Sequence, residues 1–161
     1  MTKEELGKLI LESERQLYAT AKTILACDYD CEDAIQEAIT KAFSKIHTLK
    51  KDCFAKTWLM RILINECYNV ARKNQLKNYL DENFEYSISE AMCDCDYSEL
   101  YRAVNSLKDN LKLPVILYYM EGFNVKEVAS ILDVSEGAVQ KRLGRAREKL
   151  KNTIQLEEIS A

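Results

Sequence analysis

Two stretches of this chain carry side chains suited to binding a polyanion, and neither carries a set suited to breaking bonds. In AKTWLMRILINECYNVARK (55–73), a helical wheel at about 100° per residue gathers Trp58, Arg61, Asn65, Tyr68, Asn69 and Arg72 within an arc of about 100°. Leu59, Leu63, Cys67, Val70 and Ala71 fill the opposite side. Guanidinium groups suit phosphates, and aromatic rings stack on unpaired bases at about 1–3 kcal/mol per base. The arc therefore fits a single strand or a duplex being opened. The plainer alternative is that Trp58 and Tyr68 pack on a neighbouring helix.

The second stretch is VKEVASILDVSEGAVQKRLGRAREKLK (125–151). Val125, Val128, Ala129 and Leu132 form one apolar stripe, and Val139 and Leu143 begin another. Between them Asp133-Val134-Ser135 reads as a tight turn, with Val134 pointing to the core and Ser135 capping the next helix. This is a helix-turn-helix pattern, whose second helix enters the major groove. That helix bears Lys141, Arg142, Arg145, Arg147, Lys149 and Lys151. Gln140, Lys141 and Gly144 would face base edges and the arginines phosphates. The alternative is a solvated amphipathic helix whose basic face has no partner.

Enzyme chemistry finds little support. There is one histidine, His47, and no glycine-rich phosphate loop. Among the six cysteines, Cys27/Cys31 and Cys93/Cys95 are the only close pairs, and neither makes a CxxC. No metal site and no cofactor are expected, and the thiols read as small hydrophobes. The start MTKEELGKLILESERQ lacks the features of a signal peptide, and no run approaches the ~20 apolar residues of a membrane span. The expectation is a cytoplasmic chain with reduced thiols and no membrane insertion.

Positioning these faces falls to helices. With 161 residues, 47% hydrophobic, but only four glycines and one proline, the chain has too few turn residues for a many-stranded β fold. An all-α protein is expected. Apolar spacing gives one or two helices over 4–27, a turn and N-cap region at 28–33, and a helix from Glu32 to Ile46. That helix would bury Ala34, Ile35, Ala38, Ile39, Ala42 and Phe43. Residues 47–54 read as a loop, followed by a helix over Ala55–Lys77. Further helices are expected at 97–109, 113–121, 125–132 and 136–152. Pro114 suits the first turn of its helix and Gly122 its C-terminal stop. Two small helical domains, 1–77 and 97–155, are thus joined by an acidic linker, 78–96.

Net charge is −3, which taken alone argues mildly against nucleic acid. The blocks say otherwise. Residues 1–39 hold nine acidic and four basic residues, and 80–99 hold seven acidic and none basic. Residues 50–77 hold seven basic and two acidic, and 137–152 six basic and one acidic. Two blocks of net +5 thus coincide with the two binding stretches, a pattern that points to a polyanion.

Taken together, DCEDAIQEAITKAF (30–43), FAKTWLMRILINECYNVARK (54–73) and LPVILYYMEGFNVKEVASILDVSEGAVQKRLGRAREKL (113–150) resemble, in order and spacing, bacterial RNA polymerase sigma factors. The likeness is to the short extracytoplasmic-function group, which keeps only the sigma-two and sigma-four domains. It covers nearly the whole chain except the linker and the last ten residues. The resemblance implies a factor that catalyses nothing itself, binds core RNA polymerase, and recognises and helps to open promoter DNA. It implies that Asp33, Gln36 and Glu37 dock on the beta-prime coiled coil. It implies that the loop Lys50, Lys51, Asp52 and Cys53 captures a flipped minus-ten base beside Trp58, Arg61 and Asn65; Tyr68 and Arg72 continue that face. Extracting a base costs a few kcal/mol, so a stacking and hydrogen-bonding pocket is the requirement.

By the same resemblance Gln140, Lys141, Arg142, Gly144 and Arg145 read the minus-thirty-five duplex, with Arg147 alongside. The helices around Val115–Tyr119 would meet the beta flap. An anti-sigma protein, often membrane-anchored in this group, is the implied inhibitor, and a stress response the implied setting. The chain departs from the family pattern at Leu107-Lys108, where Leu-Pro is common, and at Asp133, where glycine is common. Gln140-Lys141 and Gly144 also depart, at positions that set base preference. Two other classes remain open on the residues alone: a duplex-binding regulator that uses 1–77 for sensing or dimerisation, and a thiol or metal hydrolase.

Overall fold

A computed structural model describes the backbone of residues 1–80 and 98–160, with side chains over 1–77, 99–100 and 102–156. The described residues are helical with no strand, and the chain divides into two compact units, Met1–Ser89 and Glu90–Ala161. The linker expected at 78–96 lies outside the described residues from 81 onward. Residues 78–80 still belong to the preceding helix.

The first unit holds α1 (Lys3–Glu12), α2 (Glu14–Ile24), α3 (Asp28–Ser44) and α4 (Ala55–Leu80). A capping box starts α1: the Glu5 amide donates to Thr2 Oγ1 at 3.2 Å and the Thr2 amide to Glu5 Oε2 at 2.7 Å. Buried Ser13 separates α1 from α2, so the stretch expected as one or two helices is two. The expected turn at 28–33 is instead the first turn and a half of α3. Asp28 and Asp30 sit there, where the helix dipole favours carboxylates, and a string of acids reads as loop when it is helix start. Lys22 and the Tyr18 hydroxyl (2.7 Å) both reach the Asp28 carboxylate, clasping α2 to that start. Between α3 and α4, the loop over 47–54 tightens into two single 3-10 turns, Ile46–Thr48 and Asp52–Phe54.

The core of this unit is Leu6, Ile10, Leu17, Ala21 and Leu25 against Leu59, Met60, Leu63, Ile64 and Cys67. From α3 the buried side chains are all small: Cys31, Ala34, Ala38 and Ala42. Ile35, Ile39 and Phe43, expected inside, are only half-buried, on the flanks of that small-residue stripe. Burial pushes the thiols of Cys31 and Cys67 up to about 11 and about 12, so both are inert and protonated near neutrality.

The second unit holds α5 (Ser98–Asn105), α6 (Asp109–Val115), α7 (Val125–Leu132) and α8 (Glu136–Ser160), with a π turn at Ile116–Met120 between α6 and α7. The expected helix at 113–121 begins four residues earlier, so Pro114 lies inside α6 rather than in its first turn. The ring removes one backbone donor. Two residues later the helix widens, and the Glu121 amide reaches back to the Ile116 carbonyl at 2.9 Å. Gly122, at φ 77, stops it as expected.

The helix-turn-helix forms as the sequence predicts, and α8 runs on to Ser160, eight residues past its expected end. Asn124 and Glu127 make a capping box on α7. Asp133 adopts the left-handed conformation, φ 57 and ψ 47, which aspartate tolerates better than most residues. The Ser135 hydroxyl then accepts from the Ala138 amide at 3.1 Å, capping α8. Val128, Ala129 and Ile131 of α7 bury against Val139, Leu143 and Ala146 of α8. Ile131, not Leu132, completes the α7 stripe, and Val134 is half-buried at the turn.

Asp133→Gly should be more stable than Asp133→Ala by about 1 kcal/mol in urea unfolding. Both lose the carboxylate, and only alanine meets the left-handed penalty. A Cβ added at Gly144 would meet nothing within 4 Å. Gly144→Ala should therefore stabilise α8 by about 0.5–1 kcal/mol, seen as a raised Tm.

Candidate nucleic-acid interfaces

Helix α4 divides its circumference in two. Leu59, Met60, Leu63, Ile64 and Cys67 are buried, and buried Thr57 and Glu66 close the two margins of that side. On the other side Arg61, Asn65 and Arg72 are exposed, while Trp58, Tyr68 and Asn69 are half-buried. The six side chains read from the wheel therefore share the outward face of one helix. Neither aromatic is swallowed by the core. Arg72 is held along this face: its Nη2 donates to Asn69 Oδ1 at 3.0 Å and its Nε to the Tyr68 carbonyl at 3.4 Å.

The loop that feeds α4 carries Lys50, Lys51, Asp52 and Cys53, all exposed. The Phe54 amide donates to the Lys51 carbonyl at 3.1 Å, and the chain passes from that turn directly into α4 at Ala55. The loop thus ends less than two turns before Trp58. Phe54, 52% exposed, adds an aromatic ring that the sequence reading passed over. The signal available was an aromatic in a short polar stretch. The Asp52 carboxylate accepts from the Met1 ammonium at 2.9 Å, and that contact raises the ammonium pKa.

On α3, Asp33, Gln36 and Glu37 are exposed and share one face through their three- and four-residue spacing. Lys41, one turn beyond Glu37, sits 3.8 Å from its carboxylate and donates to Glu66 Oε1 of α4 at 2.7 Å. The Glu66 carboxylate holds the Lys41 ammonium above the ordinary lysine range. A second tie runs from Asn74 Nδ2 of α4 to Asp30 Oδ2 of α3 at 2.8 Å. Sequence periodicity gave no hint of Glu66, because a glutamate on an amphipathic helix reads as solvent-facing.

In the second unit, Gln140, Lys141, Arg145 and Arg147 are exposed on α8, and Arg142 and Gly144 are half-buried. They do not share one face. Arg147 Nη1 turns back to the Tyr119 hydroxyl of the π turn at 3.1 Å. Arg145 lies on another side, lining a shallow groove with Lys149 of α8 and with Lys108 and Asn110 at the start of α6. Gln140, Lys141 and Gly144 occupy the arc between, opposite buried Val139, Leu143 and Ala146.

Among the described residues, no cluster of three or more histidine, cysteine, aspartate or glutamate side chains could hold a metal. No described helix is long and apolar enough to cross a membrane. Cys27 and Cys53 are exposed thiols, and Cys31 and Cys67 buried ones.

Comparison with known proteins follows the same two-part division. The family model for Sigma-70 region 2 matches residues 9–77, and that for Sigma-70, region 4 matches residues 97–150. The ECF RNA polymerase sigma-E factor of Haemophilus influenzae is 29% identical over 142 residues, covering 78% of this chain and 75% of that protein. RNA polymerase sigma factor SigV of Bacillus subtilis is 26% identical over 160 residues, covering 99% and 96%. Among solved structures, the sigma factor RpoE of Bartonella quintana, crystallised with the anti-sigma factor NepR, superposes with a TM-score of 0.81 at 24% identity. That match covers 94% of this chain and 98% of that one. CnrH, in complex with the cytosolic domain of CnrY, gives 0.71 at 20% identity, covering 96% and 90%. Matched to region 2 and then region 4 across most of its length, the chain belongs to the sigma-70 family of RNA polymerase sigma factors, in the extracytoplasmic-function group.

Proposed function

We propose that this chain is an alternative sigma factor that binds core RNA polymerase in the cytoplasm, directs it to promoters and assists their opening, without catalysing a reaction itself. The observation that carries the reading is the outward face of α4, where aromatic, amide and guanidinium groups lie together beside an exposed basic loop. Duplex binding alone needs no stacking surface. Opening does, because an unpaired base must find a partner for its ring and its edges.

In this mechanism Asp33, Gln36 and Glu37 of α3 engage the beta-prime coiled coil. The loop Lys50–Cys53 receives a base of the non-template minus-ten strand, with Trp58, Arg61 and Asn65 lining the pocket and Tyr68 and Arg72 guiding the backbone. Helix α8 reads the minus-thirty-five duplex: Gln140, Lys141 and the open surface at Gly144 face base edges, while Arg142, Arg145 and Arg147 meet phosphates. Residues Val115–Tyr119 approach the beta flap. The similar sigma factor RpoE is bound by the anti-sigma factor NepR, and an anti-sigma partner is proposed here too.

Reconstitution with core polymerase tests the reading. The chain should co-elute with core and support transcripts only from matching promoters; absence of any core binding sinks it. Trp58→Ala should slow promoter opening by roughly tenfold, the worth of about one stacked base, while leaving closed-complex affinity nearly unchanged. Equal loss in both would make Trp58 a packing residue. Arg145→Ala should weaken minus-thirty-five duplex binding and reduce the salt slope by about 1. An unchanged slope would remove Arg145 from the phosphate contacts.

A further inference from the structure

The stripe that α3 turns toward α4 is made of Cys31, Ala34, Ala38 and Ala42. Such short side chains let two helices approach closely, but they make shallow knobs that define poorly where one helix stops along the other. A slip of one residue would move a helix by about 1.5 Å and turn its face by about 100°. Two directional polar contacts bracket this smooth interface: Lys41 to Glu66 at 2.7 Å, and Asn74 to Asp30 at 2.8 Å. Glu66 is only 7% exposed, so its carboxylate is committed to that contact and cannot exchange it cheaply for water.

Lys41 is also shared. Its ammonium lies 3.8 Å from Glu37, on the face proposed to dock on polymerase. Glu66 stands at the margin of the buried side of α4, next in sequence to Asn65 of the face proposed to meet the opened strand. The pair therefore ties the helix that carries one face to the helix that carries the other, through a contact that is buried on its Glu66 side.

Resting on that functional reading, we propose that Lys41 and Glu66 are positioning residues for promoter opening. Their ion pair sets the register of α3 on α4, so that docking through Asp33, Gln36 and Glu37 delivers the Trp58–Arg72 face at one height and rotation. Ion pairs withdrawn from water add little stability over an apolar pair of similar volume, and their better-attested use is to specify one arrangement; here Glu66 is buried and Lys41 half-buried.

The test separates positioning from folding. In Lys41→Met/Glu66→Met the interface keeps its volume and loses its direction, and Lys41→Arg keeps the charge pair. Each full-length variant is assembled with core polymerase, and core affinity, Tm and the promoter-opening rate are measured, the last by fluorescence of a base analogue in the minus-ten element. The double variant should hold Tm and bind core within twofold of the parent, yet open promoters about tenfold more slowly. Lys41→Arg should open within twofold of the parent. The proposal is overturned if the double variant opens at the parental rate, or if its core affinity and opening fall together. Failure of the parent chain itself to bind core would instead defeat the functional reading.

Discussion

Everything the first unit presents depends on how α3 lies against α4. The contact is built from the smallest apolar side chains, Cys31, Ala34, Ala38 and Ala42, facing larger ones such as Leu63, which is wholly buried. Close approach brings an acidic outer face and an aromatic–basic outer face onto neighbouring helices of one bundle. Two faces of opposite chemistry can coexist there because each helix buries one side and leaves the other for polar groups. The two polar ties across the interface supply the directionality that alanine cannot.

The same economy explains why the total charge misleads. A net charge of −3 averages strongly acidic and strongly basic segments of the chain. At physiological salt, exposed charges more than about 8 Å apart are largely screened from each other. A partner therefore meets a local face and not the sum. The acidic residues of α3 and the basic groups around α4 and α8 are such local faces, and an acidic protein can bind DNA without contradiction.

Much of this was legible in the residues. Apolar spacing located α4, α7 and the start of α8, because each buries one stripe and the period of a helix is strict. The Asp133 turn and the Ser135 cap were readable because few residue types tolerate those backbone positions. What failed was less local. The start of α3 looked like a loop because acids favour both turns and helix N-termini. Pro114 looked like a helix start because nothing in the sequence announces a π turn. Glu66 was invisible: a buried glutamate is betrayed only by its partner, Lys41, which lies 25 residues away. On α8 the arginines were read together as phosphate contacts, whereas Arg147 turns to Tyr119 and Arg145 lines the groove beside α6. Which rotamer a long side chain takes depends on neighbours that a wheel does not contain.

The length of α8 has a consequence for how firmly its parts are held. Its last fully buried described side chain is Ala146, yet the helix continues to Ser160. Nucleating a helix is the costly step and extending it adds roughly one hydrogen bond per residue fixed. The packed turns around Val139, Leu143 and Ala146 act as the nucleus, and the remainder is propagation from it. Amide protons along α8 therefore fall on a gradient, exchanging only with global opening near Leu143 and through progressively cheaper fraying toward Ser160. The segment proposed to read DNA lies on the firm side of that gradient, where its geometry is already fixed before any partner arrives.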